Sequence, residues 1–176
     1  ISEGTKKFLE EINIWDEIGN YAEPIKNIQI IDRNQSNKIY FDNQRRKSNL
    51  GYIVKNKFIL NCLYKKLRKQ KNVDIINNVS IEDIFYQGDR IITKQNNFNV
   101  NTNILFACDG KNSFIRKIFK TPIYRKDYKK KAIVINFYHS KNHNNTAYAF
   151  FCKNGPLAMV PRVKNRETCE CSVAVC

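Results

Sequence analysis

Leu105-Phe106-Ala107-Cys108-Asp109-Gly110-Lys111-Asn112-Ser113-Phe114-Ile115-Arg116 is the stretch whose reading decides the fold. With Asn103-Ile104 before it, the run to Cys108 is continuously apolar, as in a strand covered on both faces of a parallel sheet. It stops abruptly at Asp109-Gly110, and a short helix is expected over 113–119. A carboxylate at the end of such a strand projects from the sheet edge, and a glycine beside it lets a ligand approach the backbone closely. Ligands of open α/β sheets sit at those carboxyl ends. Asp-Gly alone is better read as an ordinary strand-to-helix turn capped by Ser113.

Outward from this stretch the hydrophobic period changes with position. Phe8, Leu9, Ile12, Trp15 and Ile18 recur at three- and four-residue steps, which predicts an amphipathic helix over 5–18 stopping at Gly19. Ile28 to Ile31 and Ile39 to Phe41 flank a polar turn and read as a hairpin. Phe58, Ile59, Cys62, Leu63 and Leu67 mark a second helix whose last turn is rich in Lys and Arg, complementing the helix dipole. Extended stretches are expected at 73–79, 81–86, 90–94 and 98–100, forming a small antiparallel meander, and again at 132–138, 146–152, 157–160 and 170–175.

Composition bounds the function classes. The 176 residues carry 42% hydrophobic and 12% aromatic side chains, a globular balance, and no apolar run approaches the ~20 residues of a spanning helix. The first residues lack the order of a signal peptide, and the chain, having no initiator Met, is expected to begin mid-protein. The net charge of +15 favours phosphate backbones or anionic membrane surfaces. The basic residues are spread along the chain apart from Arg45-Arg46-Lys47, 65–71 and 125–131, and no base-reading motif accompanies them, so a solvated lysine-rich surface is the simpler reading. The six cysteines, at 62, 108, 152, 169, 171 and 176, form no spaced disulfide framework and read as reduced thiols in a cytoplasmic compartment. Cys169 and Cys171 share one face of a strand, but their spacing and the upstream position of His139 and His143 do not make a zinc knuckle. No metal site is expected.

The full string Asp109-Gly110-x-x-Ser113-x-x-Arg116 resembles the second flavin motif of the aromatic-ring hydroxylases related to p-hydroxybenzoate hydroxylase. All four fixed positions match. Ala22-Glu23-Pro24-Ile25-Lys26-Asn27-Ile28, Leu50-Gly51-Tyr52-Ile53-Val54-Lys55-Asn56, Asn145-Thr146-Ala147-Tyr148 and Gly155-Pro156-Leu157-Ala158-Met159-Val160-Pro161 are similar, in collinear order, to strings of the ubiquinone-biosynthesis branch, which includes the octaprenyl-methoxyphenol hydroxylases. Phe8-Leu9-Glu10-Glu11-Ile12-Asn13-Ile14-Trp15 is similar to the end of that branch's helix.

The resemblance implies an α/β fold, a fragment of a Rossmann-like FAD/NAD(P)-binding domain interleaved with a β-sheet substrate domain. Residues 1–22 and 53–121 would belong to the former, 23–52 and 122–176 to the latter. It implies FAD as cofactor, NAD(P)H as electron donor, and hydroxylation of a polyprenylated phenol in ubiquinone biosynthesis. Asp109, Gly110 and Asn56 would face the flavin, with Ser113 and Arg116 fixing the turn and helix. No catalytic acid, base or nucleophile is assigned. A peripheral position at the inner membrane surface, or association with a ubiquinone-biosynthesis complex, is implied as well, and no specific nucleic-acid partner.

Four departures stand out: Ala149 and Phe150 where the branch has Glu and Arg, Arg162 where an apolar residue is common, and Val175 in place of tryptophan. The 176 residues contain no Gly-x-Gly-x-x-Gly to cradle a pyrophosphate at a helix N-terminus. They also contain no Gly-Asp-Ala-x-His segment, so the chain is expected to be an internal portion that does not work alone. Two other readings remain open: a truncated, non-catalytic remnant, and a basic protein that binds nucleic acid or a membrane surface.

Overall fold

A computed structural model describes residues 1–33, 37–42, 48–162 and 169–175. The Arg45-Arg46-Lys47 cluster and Cys176 lie outside the described residues. Two compact units divide the chain, one of Ile1–Val73 with Lys129–Cys176, the other of Asp74–Tyr128.

The first unit opens with α1 (Glu3–Glu11) and α2 (Trp15–Gly19). One helix was expected over this span. Asn13 adopts φ +52°, a left-handed conformation that Asn tolerates better than most residues, and it breaks the helix after α1. Ser2 caps α1 by accepting from the Thr5 amide. The helix α3 (Asn56–Leu67) follows the short antiparallel pair β1 (Glu23–Ile25) and β4 (Gly51–Ile53). Leu9, Ile14, Ile18 and Cys62 are buried together, with Trp15, Val54, Ile59 and Leu63 packed around them.

A six-stranded sheet in the same unit has the order β3-β2-β9-β10-β11-β8. Its strands are β2 (Asn27–Asp32), β3 (Lys38–Asp42), β8 (Ile133–His139), β9 (Thr146–Cys152), β10 (Gly155–Arg162) and β11 (Cys169–Val175). All neighbours are antiparallel except β2 and β9, which run parallel with Gln29 opposite Tyr148. The register sets Tyr40, Gln29, Tyr148, Met159, Val173 and Ile135 in one row across one face. Ile39, Ile30, Ala149, Ala158, Ala174 and Val134 form a row on the other. Grouping by compactness thus puts α1–α3 with the six-stranded sheet, while the family resemblance assigns them to different domains.

The second unit holds the three-stranded meander β5 (Ile81–Gln87), β6 (Arg90–Gln95) and β7 (Phe98–Thr102), in that order, and α4 (Phe114–Ile118). Gly88 takes φ +58° in the β5–β6 turn. Two expectations fail in this unit. Residues 73–79 form no strand. More consequentially, Asn103–Cys108 is not a buried parallel strand: it has no regular secondary structure and pairs with no strand among the described residues, and Ile104 and Phe106 are 65% and 79% exposed. The apolar run has the composition of a covered strand, but a parallel strand exists only by pairing with neighbours on its edges, and the described residues give it none.

Candidate functional site

The loop at the end of that run is built by hydrogen bonds from within. Asp109 Oδ2 accepts from the backbone amides of Phe114 at 2.7 Å and Ile115 at 3.2 Å, the first residues of α4. Ser113 caps the helix, its Oγ accepting from the Arg116 amide at 3.0 Å. Hydrogen bonding to Ser113, aided by the two helix amides, holds the Asp109 carboxyl below the usual aspartate range. The Arg116 guanidinium reaches back to donate to the Lys111 carbonyl at 2.6 Å, closing the loop. The Ser113 amide donates to the Gly110 carbonyl at 3.1 Å. Gly110 sits at φ +82°, and a Cβ placed there would meet nothing within 4 Å. The demand for glycine is therefore conformational, and the space beside its Cα is open.

All four motif residues are thus gathered into one turn, with Ser113 and Ile115 buried beneath it. Asp109 stands on the exposed side. An open groove of about 410 Å³ runs along the turn, lined by Leu105, Ala107, Gly110, Ile115, Arg116 and Phe119 among others. Chemically the turn offers an ionised, acceptor-only carboxylate, an unobstructed backbone at Gly110, and an apolar wall. The Ser113 and Thr121 hydroxyls and the Arg116 side chain also line the groove.

Asn56, the remaining flavin-facing candidate, belongs to the first unit. It is the first residue of α3 and is exposed. Lys55 before it has extended dihedrals, φ −69° and ψ 130°, and supplies no side-chain cap. Its ammonium instead pairs with Glu170 Oε2 on β11 at 3.1 Å, which ties the entry of α3 to the sheet.

That ion pair belongs to a polar cluster that the sequence reading did not anticipate. Arg162 and Glu170 are register partners on β10 and β11, joined at 2.9 Å with both side chains about 10% exposed. His143, buried, accepts the Asn145 amide on Nδ1 at 3.0 Å and meets the Arg162 carbonyl through Nε2 at 3.1 Å. This network assigns the neutral tautomer with the proton on Nε2. The Asn145 amide side chain bonds both Glu23 and the Pro24 carbonyl, stitching β1 to the loop before β9. One signal was available in the sequence: Arg162 and Glu170 are charges inside apolar strands, and each requires a partner if buried. Cys169 and Cys171 do share a buried face of β11, and His139 Nε2 lies 3.1 Å from Cys171 Sγ. Among the described residues no group of three or more His, Cys, Asp or Glu converges to hold a metal ion, and no helix is long and apolar enough to cross a membrane.

Comparison with known proteins places this geometry. No family model matches the chain. It is 24% identical over 160 residues to the mitochondrial ubiquinone biosynthesis monooxygenase COQ6 of Caenorhabditis elegans, covering 87% of this chain and 35% of that protein. With ubiquinone hydroxylase UbiL of Rhodospirillum rubrum it shares 22% identity over 164 residues, 93% of this chain and 38% of the other. Human COQ6 is 27% identical over 173 residues, at 92% and 37% coverage. The chain therefore spans just over a third of the length of these curated relatives. Among solved structures, a mutant of P. aeruginosa PqsL superimposes with a TM-score of 0.78 at 12% identity, over 96% of this chain and 47% of that one. Klebsiella pneumoniae HpxO complexed with FAD and uric acid gives 0.71 at 11% identity, over 99% and 46%. The fold is thus a mixed α/β portion of the kind found in FAD-dependent monooxygenases.

Proposed function

Because this chain is a partial relative of the ubiquinone-biosynthesis FAD monooxygenases, we propose that it forms the internal portion of an enzyme that hydroxylates a polyprenylated phenol at the expense of NAD(P)H. The observation that carries the proposal is the Asp109–Arg116 turn: four motif residues locked by their own hydrogen bonds beside a groove, with open space over Gly110. In this reading residues 1–22 and 53–121 contribute to the flavin domain and 23–52 and 122–176 to the substrate domain.

The turn fits a flavin in two respects. A large planar cofactor with a hydroxylated chain needs a backbone it can approach without meeting a Cβ, and Gly110 provides one. It also needs a fixed acceptor for hydroxyl groups, and Asp109 is oriented by α4 and kept ionised. Bound FAD would supply the redox and oxygen chemistry, and the protein supplies binding, orientation and exclusion of water. Asp109 orients, Gly110 makes room, and Ser113 and Arg116 hold the turn. The pyrophosphate cradle is not among these residues.

The test is to join the chain to the segments encoded on either side of it and supply FAD, NAD(P)H, oxygen and a short-chain prenylated phenol. The expected result is a product one oxygen heavier, formed only with all components. Flanking sequence without a Gly-x-Gly-x-x-Gly strand–helix unit, or a joined protein that binds no flavin, would favour the non-catalytic remnant instead.

A further inference from the structure

His143 is a buried titratable side chain that the flavin reading leaves unused; it lies in the loop between β8 and β9 with its side chain 3% exposed. Its Nδ1 accepts from the Asn145 amide and so carries no proton. Asn145 in turn gathers the corner between β1 and β2. Its carbonyl accepts from the amides of Lys26 at 2.9 Å and Asn27 at 3.3 Å, and its side chain donates to Glu23 and to the Pro24 carbonyl. Asn27 is also where β2 enters its parallel pairing with β9, opposite Thr146. Because β2 carries β3 on its other edge, this corner fastens the β2–β3 hairpin to the rest of the six-stranded sheet.

A second partner for the ring lies within reach. Glu23 Oε1, which accepts from the Asn145 side chain, is also 3.9 Å from His143 Nε2. The other charged and titratable groups around the ring are engaged elsewhere. Arg162 offers His143 its carbonyl at 3.1 Å and gives its guanidinium to Glu170, and Lys55 pairs with that same carboxylate. The His139 ring, 6.5 Å away between centroids, meets Cys171 Sγ, and Cys169 faces His139 in the β8–β11 register. A proton on Nδ1 would set two donors against each other at the Asn145 amide. It would also draw Glu23 to Nε2, since a carboxylate bonds a charged donor more strongly than a neutral amide.

We propose that His143 is a proton-operated latch. Neutral, it fastens Asn145 and with it the β1–β2 corner to the loop before β9; protonated, it takes Glu23 from Asn145 and releases the corner. Histidine changes charge between about pH 5 and 8, so the fastening is present above that range and lost below it. The latch depends neither on flavin nor on the monooxygenase reading.

The experiment is NMR of the nitrogen-15-labelled 176-residue chain between about pH 8 and 5. Imidazole nitrogen shifts report the charge and tautomer of His143. Hydrogen exchange at the Lys26 and Asn27 amides, corrected for its intrinsic pH dependence, reports the corner. At the alkaline end the ring is expected to carry its proton on Nε2 alone. As Nδ1 gains a proton the two amides should lose about tenfold in protection, the loss of roughly one hydrogen bond, while amides of β6 in the second unit keep theirs. His143→Gln, which does not titrate, should protect Lys26 and Asn27 equally at both ends of the range. Glu23→Gln keeps an acceptor for Asn145 but has no charge to offer an imidazolium, so it should cut the acid-induced loss by more than half. His139→Gln should leave that loss unchanged. Should His143→Gln not fold, the parent titration and Glu23→Gln decide. A ring that stays neutral to the acid end, protection that does not follow Nδ1, or a response abolished by His139→Gln would overturn the proposal. So would a Glu23→Gln response equal to that of the parent.

Discussion

Removing the charge of Glu170 should destabilise the first unit by about 2–3 kcal/mol, an effect reasoned from burial. Glu170 and Arg162 are each about 10% exposed, and their atoms meet at 2.9 Å. Losing one partner of a buried pair costs about 3–5 kcal/mol, because the other charge stays desolvated. Glu170→Gln keeps the shape and one acceptor for Arg162, which lowers the expected cost to the range above. Lys55 is about one-third exposed, so Lys55→Met should cost no more than about 1 kcal/mol. The double variant Glu170→Leu/Arg162→Met removes both charges and should recover at least half of the single loss, since apolar replacement of a whole buried pair is often neutral. The only tryptophan, Trp15, packs edge-on against Tyr52 at 4.9 Å within this unit. Its fluorescence during urea titration therefore reports this unit and not the other. A loss of 2–3 kcal/mol shifts the midpoint by about 1–2 M for the m-values of small proteins. A Glu170→Gln midpoint within the error of the parent, or a double variant less stable than either single, would refute the buried-pair account.

Three further outcomes are expected. The Asp109 carboxyl should titrate below ordinary aspartates when followed by NMR. Its folded-state pKa is depressed, so the stabilisation of the α4 turn is present above the unfolded-state value and is lost as pH falls through the lowered one; a normal titration would mean that the helix amides do not hold the carboxylate. Exposed Cys108 should react first with a thiol reagent on the native chain, ahead of buried Cys62, Cys169 and Cys171, with burial also raising the thiol pKa of Cys62 and Cys171; mass spectrometry of partial labelling reads the order, and early labelling of Cys171 would contradict the sheet packing. The purified 176-residue chain should show no stoichiometric flavin absorbance, because it contains no Gly-x-Gly-x-x-Gly cradle; a flavin band near one equivalent would show that the cradle is not needed.

Local pattern carried much of the secondary structure. Strand β9 falls at Thr146–Cys152, where an extended stretch was expected, and the β5–β6–β7 meander and helix α3 follow from period and turn residues. What escaped the sequence depends on partners distant along the chain. The parallel pairing of β2 with β9 joins residues more than a hundred positions apart and leaves no local trace. The break after α1 turns on one residue, Asn13, choosing a left-handed conformation that its apolar neighbours do not signal. The run 103–108 was misread for the opposite reason, since its composition is that of a covered strand while the pairing that makes a strand is not encoded within it. At the candidate site, the Asp109 turn was legible because its hydrogen bonds are local, closing within seven residues. The Arg162–Glu170–Lys55 cluster was not, because three elements must fold before those charges meet.

The most direct test of the flavin assignment is the FAD dissociation constant of the chain joined to its flanking segments, compared between Asp109→Ala and Lys111→Ala. Lys111 is exposed and takes part in the turn only through its backbone carbonyl, so Lys111→Ala should bind FAD and be reduced by NAD(P)H as the parent is. Asp109→Ala should weaken binding on the order of tenfold or more, as loss of a charge-assisted hydrogen bond requires, or slow reduction, while circular dichroism shows the joined protein still folded. Equal FAD affinity and reduction rate in the two variants would contradict the placement of the Asp109 turn at the flavin.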